Sequence, residues 1–279
     1  MQQQNQKIMK RLFLMIGLLL SFLQLYSWDL SGIVGGRSNS MGNCSVALSD
    51  FWSIANNPAG IVGAQHVMAG FAYDNRFFMK ELSNYAAAFV IPSSTGALGL
   101  SFNRFGSNNY NENKIGLAYS RCFGEKLRIG LKLDYLLFSF SDDYSARQCA
   151  TIELGFQTPI SESVSVGVYL FNPIFARTWK MKTRIPIIIR CGFSYKITKD
   201  FIAFGEIEYD TDKKTDYRLG FEYHTLNEFY LRAGIYTHPG TACFGAGYSF
   251  HRFTIDISSK LNQYTGVSFQ SSFTFAIHS

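Results

Sequence analysis

From about residue 66 onward, polar and apolar side chains alternate in runs of about ten residues, each closed by turn residues. In Lys126 to Tyr135, residues Leu127, Ile129, Leu131, Leu133 and Tyr135 fall on one face, and Arg128, Gly130, Lys132 and Asp134 on the other. A period of two belongs to an extended strand, whose successive side chains point to opposite faces. A helix would scatter the same charges around its circumference. The period recurs in Phe201 to Asp210, where Ala203, Gly205, Ile207 and Tyr209 oppose Glu206, Glu208 and Asp210. It recurs again in Thr215 to Thr225, with Tyr217, Leu219, Phe221 and Tyr223 against Asp216, Arg218, Gly220, Glu222 and His224, and in the segment that carries Leu231, Ala233 and Ile235 against Arg232, Gly234 and Tyr236. A soluble sandwich also alternates, but its second face meets water. Repeated Leu, Ile and aromatic bands on one face predict a wall that faces lipid, with the polar face turned to a lumen.

Such runs number about fourteen, an even count as single-chain barrels use, near 66–76, 81–92, 95–105, 112–123, 126–141, 144–158, 162–171, 184–197, 200–210, 215–225, 228–238, 241–250, 252–260 and 264–277. The expected fold class is therefore all-β, a transmembrane antiparallel β-barrel. Alternate connections form two classes. Pro92 to Thr95, Gly124 to Glu125, Pro159 to Ser161, Thr198 to Lys199, Leu226 to Asn227 and His251 read as tight periplasmic turns. Gly106 to Asn111, Asn172 to Thr183, Thr211 to Lys214 and Asn262 to Gln263 read as longer, polar outward loops. That division puts both termini on the periplasmic side. The last run, with Val267, Phe269, Phe273, Phe275 and Ile277 on one face, resembles the C-terminal strand by which barrel-insertion machinery recognises its clients.

The start of the chain does not alternate. Residues 1–27 read as a secretory signal peptide: a basic start from Gln2 to Arg11, an apolar run from Leu12 to Leu25, and a small residue at Ser27. The apolar run also borders on the length of a membrane-anchoring helix. After Trp28 no uninterrupted apolar stretch of about 18 residues follows, so a membrane would be crossed by strands.

Residues 28–65 are a separate segment, and 66–279 the barrel. In this segment Gly, Asn and Pro cluster in tight turns, and Val46 to Ile54 reads as a short helix between them. There is no Gly-Lys-Ser/Thr and no preceding strand, so the Gly-rich stretch is not a phosphate loop. It resembles the N-terminal signature of the FadL superfamily, more closely that of its PorV/PorQ branch from Bacteroidota, on Gly35, Arg37, Met41, Gly42, Val46, Ala47, Leu48, Asp50, Asn57, Pro58, Ala59 and Gly60, with Ile61 in place of Leu and Cys44 in place of a small residue. The resemblance implies a fourteen-stranded barrel with this segment folded into the lumen as a hatch. Arg37, Asp50, Asn56, Asn57, Pro58, Ala59 and Gly60 become the hatch candidates, with Asn57 expected to hydrogen-bond lumen charges. A periplasmic tail is the alternative. The sequence departs from the family in its short loops, the part of a fatty-acid transporter that first captures its ligand.

Composition agrees with a membrane wall. Hydrophobic residues make up 47%, aromatic residues 16%, and charged residues 16%, against about 25% charged in soluble proteins. The net charge of +6 falls to +3 when Lys7, Lys10 and Arg11 of the leader are removed, too little for a nucleic-acid surface. Cys44, Cys122, Cys149, Cys191 and Cys243 are odd in number and irregularly spaced, which argues against disulfides and zinc. The histidines His66, His224, His238, His251 and His278 share no metal-ligand spacing, and no Gly-x-Ser-x-Gly elbow occurs. No catalytic residue, metal or cofactor is expected.

The expected lumen face carries both signs: Arg128, Lys132, Arg190, Lys196, Arg218 and Arg232 against Asp134, Glu153, Glu206, Glu208, Glu222 and Asp256. An ion-selective channel would favour a ring of one sign, and a hydrophobic conduit an apolar lining. Mixed charges are expected to pair across the lumen and help plug it. The place of work is the outer membrane of a Gram-negative bacterium, among its lipids. From the resemblance, the first functional expectation is a non-catalytic accessory, docking or scaffold subunit of an outer-membrane protein machine, type IX secretion-like or a barrel-assembly translocon, with other outer-membrane proteins as partners. The alternative is FadL-like passive transport of hydrophobic small molecules.

Overall fold

The alternating runs pair in the order of the chain. A computed structural model describes residues 32–124, 126–140, 146–178, 184–225 and 228–277. Its strands are β1 (Val67–Asn75), β2 (Ser83–Ser93), β3 (Gly96–Gly106), β4 (Tyr110–Phe123), β5 (Leu127–Phe140), β6 (Arg147–Pro159), β7 (Val164–Phe171), β8 (Ile188–Lys196), β9 (Phe201–Asp210), β10 (Asp216–His224), β11 (Phe229–Tyr236), β12 (Thr241–Phe250), β13 (Phe253–Asn262) and β14 (Gly266–Ile277). Each is antiparallel to the next, and β1 also pairs with β14 from Val67 opposite Ile277 to Asn75 opposite Phe269, so the barrel closes. Closure leaves no strand edge, which lipid could not hydrogen-bond. The leader at 1–27, residues 28–31, Glu125 and the turn at Leu226 to Asn227 lie outside the described residues.

The alternation is inverted relative to a water-soluble protein. Leu133 on β5 is 54% exposed, while its neighbour Lys132 is fully buried. On β10 the outward Tyr217, Leu219, Phe221 and Tyr223 are exposed and the inward Asp216, Arg218, Gly220 and Glu222 buried. A wall apolar outside and polar inside is the arrangement of a transmembrane barrel. We call the end that carries the start of β1 and the finish of β14 the terminal end, and the opposite one the loop end.

One connection departs from expectation. Residues 184–187, expected in β8, precede it, and the β7–β8 connection does not simply project outward. Ile185 and Ile188 are buried among Phe105, Leu136, Phe138, Cys149 and Phe171 inside the loop end. Asn172 anchors the fold-back: its Oδ1 accepts from Thr151 Oγ1 at 3.0 Å and its Nδ2 donates to the Ile185 carbonyl at 3.0 Å. The run Ile185-Pro186-Ile187-Ile188-Ile189 does not alternate, and Pro186 has no N–H for a ladder. Burial is the lower-energy placement for such a run.

The segment before β1 lies inside the barrel. It contains α1 (Gly36–Ser40), α2 (Ser53–Asn56) and a 3-10 turn (Pro58–Gly63). The helix expected over Val46 to Ile54 does not form. Asp50 Oδ1 accepts from the Ser53 backbone N–H at 3.1 Å, and Ser53 Oγ accepts from the Asp50 backbone N–H at 3.1 Å, so these side chains divert the backbone into a turn. Only the part after this reciprocal cap is helical.

Candidate functional site

The hatch sits on a belt of lumen-facing glycines. Pro58 and Ala59 press against Gly130 and Gly155, and a Cβ at either glycine would overlap the hatch backbone. Met41 and Gly42 press in the same way against Gly220 and Gly234. Glycine weakens a strand interior, and it recurs there where another backbone must approach closely. Apolar contacts complete the seat. Phe51, Trp52, Ile54 and Ile61 pack against Ala72, Ala86, Val90, Ala97 and Ala118 of β1 to β4, and Met41, Cys44 and Leu48 pack against Phe204. Small residues on the wall leave room for large ones on the hatch.

Polar groups then fix the register. Glu206 on β9 accepts from the backbone N–H groups of Ser45 and Val46 at 2.7 and 2.8 Å. Gln157 on β6 donates to the carbonyls of Val46 and Leu48 at 2.9 and 2.6 Å. Asn57 Nδ2 donates to the Val46 carbonyl at 2.7 Å, and at 3.3 and 3.4 Å to the wall carbonyls of Val168 and Phe156. Its Oδ1 accepts from the Ala59 N–H at 3.2 Å. Asn57 thus bonds backbone and not lumen charges, contrary to the sequence expectation. An uncharged amide matches carbonyls, which offer only acceptors.

Asn56 works within the hatch, exchanging bonds of 2.9 and 2.8 Å with the Val34 backbone. Gly60 has no room for a Cβ beside Ser53 Oγ and the Leu48 carbonyl. Pro58 opens the 3-10 turn, where its missing N–H is not needed. Arg37 forks onto Glu222 of β10, with Nε and Nη2 at 2.9 and 2.7 Å from its two carboxylate oxygens, and reaches Asp50 at 3.3 Å.

Among the described residues the lumen charges form three larger arrays, beside the pairs Asp74–Arg76 and Asp210–Lys213 at 3.4 Å each. Lys114 and Lys132 share Glu153 at 3.1 Å each, and Lys132 lies 3.3 Å from Asp134. Arg218 holds Glu206, Glu208 and Asp216 at 2.9, 2.6 and 2.9 Å, with Arg190 on Glu208 at 2.5 Å. Arg232 holds Glu222 and Asp256 at 2.6 and 2.7 Å. These charges do not pair across the lumen as expected. Lys132 is directly opposite Glu153, Arg218 opposite Glu206, and Glu222 opposite Arg232 on adjacent strands, where Cβ atoms are about 5 Å apart. Arg128 and Lys196 make no ion pair among the described residues, and Lys196 is exposed.

Two cavities flank the hatch. One, of about 330 Å³, lies toward the loop end and is lined by Ile33, Asn43, Arg218, Tyr236 and Lys260 among others. The other, of about 390 Å³, lies toward the terminal end against Arg37, Asp50, Phe51, Trp52 and Met68. The chain around α1 separates them. The glycine belt, Gln157 and Ser120, whose Oγ donates to the Ala59 carbonyl at 3.0 Å, were not singled out from the sequence. The signal for the glycines was there: glycine at alternate lumen-facing positions of strands that otherwise carry β-branched and aromatic residues.

Replacing Asn57 by Ala is expected to loosen the hatch without unfolding the wall. Each buried hydrogen bond contributes about 0.5–1.5 kcal/mol net, so proteolysis near Asn57 should quicken while the unheated protein still migrates as a compact barrel. Unchanged protection would show that the glycine seat alone holds the segment.

No family model matches the chain, and no curated protein sequence does. Solved structures match its fold. The toluene transporter TbuX of Ralstonia pickettii aligns with a TM-score of 0.71 and 12% identity over 90% of this chain and 100% of that one. The monoaromatic hydrocarbon channel CymD aligns at 0.68 with 15% identity over 91% and 100%, and a Pseudomonas aeruginosa FadL homologue at 0.63 with 10% identity over 88% and 98%. The chain shares its overall fold with these proteins; in this chain it is a closed antiparallel barrel of fourteen strands.

Proposed function

We propose that this protein is an integral outer-membrane barrel, with periplasmic termini, that passes hydrophobic small molecules passively across the membrane. The observation that carries the reading is the likeness of fold, over nine-tenths of the chain, to a toluene transporter and a monoaromatic hydrocarbon channel. The cavities on either side of the hatch support it, because a shift of the chain around α1 would join them. Transport, first held as the alternative, takes precedence over the accessory-subunit reading. The signature from Gly35 to Gly60 keeps the PorV/PorQ branch as the finer family proposal.

The accessory reading retains one favourable observation. Phe78, Ile174, Phe175 and Tyr264 stand exposed at the loop end, suited to contact with another outer-membrane protein. A single comparison decides between the readings. Cells with and without the protein are given labelled toluene at low concentration, and uptake is expected to fall severalfold on deletion. Unchanged uptake, together with a stoichiometric complex in mild detergent, would replace transport by the docking role.

A further inference from the structure

We propose that the loop-end cavity is a binding site for an oxyanion, carboxylate or phosphate, with Lys260 as its anchor. Lys260 faces the lumen on β13, directly opposite Ser268 on β14 and Cys243 on β12, and lines the cavity. The other charges there are already engaged. Glu208 and Asp216 are held by Arg190 and Arg218, and Asp216 Oδ1 also accepts from the backbone N–H groups of Thr237 and His238 at 2.9 Å each. Asp74, two strands away from Lys260, lies 3.4 Å from Arg76. Lys260 itself has no hydrogen bond or ion pair among the described residues.

An ammonium inside a membrane wall is costly, and its usual role there is to meet a ligand or ion. It offers three N–H donors and no acceptor, so its complement is an oxyanion, and the neighbouring Ser268 hydroxyl can add a further donor. Arg76 on the same cavity contributes positive potential. Phe77 and Tyr236, which also line it, offer apolar surface to the body of a small acid. At about 330 Å³ the cavity is at the small end of ligand sites. Within the transport reading, on which the choice of cargo rests, this adds small aromatic or short-chain acids to the neutral hydrocarbons as cargo. The binding site itself stands apart from transport.

The test is a calorimetric titration of the full-length protein in lipid nanodiscs with benzoate, inorganic phosphate, benzyl alcohol and benzyltrimethylammonium. Benzoate is expected to bind, benzyltrimethylammonium not to, and Lys260→Gln to weaken benzoate about tenfold or more, the worth of a charge-assisted hydrogen bond. Lys199→Gln, in the exposed β8–β9 turn, is expected to bind benzoate like the unaltered protein. Phosphate binding as tightly as benzoate would assign the site to free anions; benzoate alone would assign it to acids with an apolar body. The proposal is overturned if Lys260→Gln binds benzoate unchanged, or if benzyl alcohol binds as tightly. Benzoate binding at Lys260 without toluene uptake by cells would remove the transport reading and keep the site, and the converse result would do the reverse.

Discussion

Deleting residues 32–65 is expected to turn a closed barrel into an open aqueous pore. The hatch separates the two cavities, and its backbone fills the space in front of Gly130, Gly155, Gly220 and Gly234. An eight-stranded barrel just holds its own side chains, and sixteen strands leave an aqueous channel. Fourteen strands lie nearer the second case, and the wall is lined by glycine and alanine where the hatch sits. The inward plug of Ile185, Ile188, Phe138 and Phe171 covers only the side near β5 to β8. The loop-end cavity, bordered by residues from β8 through β14 to β1, would then run through to the terminal end. In planar bilayers the deleted protein should conduct steadily, on the order of tenfold or more above the intact protein. Arg37→Ala should give brief openings only, because it frees one anchor and leaves the glycine seat and Glu206 in place. A deleted barrel that folds yet stays silent would show that loop and wall side chains close the lumen without the hatch.

The wall was legible in the sequence because its rule is local. A residue two positions away shares a face, so Leu127 to Tyr135 and Tyr217 to Tyr223 declare lipid and lumen sides without knowledge of any partner. Strand limits came within a few residues for the same reason, except at β8, where Ile185 to Ile189 carries no alternation. The lumen was legible only in part. That charges of both signs face inward follows from period two, but which ones meet depends on register, and register appears only when neighbouring strands are aligned. Lys132 meets Glu153 and Arg218 meets Glu206 because they are directly opposite, a relation no single strand contains. Asn57 illustrates the hatch. Its position in a turn was readable, while its partners, the carbonyls of Phe156 and Val168, lie about a hundred residues later and belong to no motif.

Register also governs the largest expected loss of stability, that of Lys132→Met. Lys132 is fully buried, bonded to Glu153 at 3.1 Å and 3.3 Å from Asp134, and its Cε lies where a Cβ of Gly116 would fall. Methionine retains a stem of similar length, so the substitution mainly removes charge. Lys114 would then be left to balance both Asp134 and Glu153, with only Glu153 within its reach, at 3.1 Å. Breaking a buried ion pair by removing one partner costs about 3–5 kcal/mol, because the stranded charge keeps its desolvation penalty without its partner. Reversible guanidinium unfolding in lipid vesicles, followed by tryptophan fluorescence, should show this as a lower midpoint with an unchanged slope. Adding Asp134→Asn removes the surplus negative charge and should recover at least about half of the loss if the cost is electrostatic. If the double variant is no more stable than Lys132→Met alone, the lost free energy belongs to packing of the lysine stem over Gly116. If the single variant is as stable as the unaltered barrel, the array of Lys114, Lys132, Asp134 and Glu153 contributes nothing to holding β4, β5 and β6 in register.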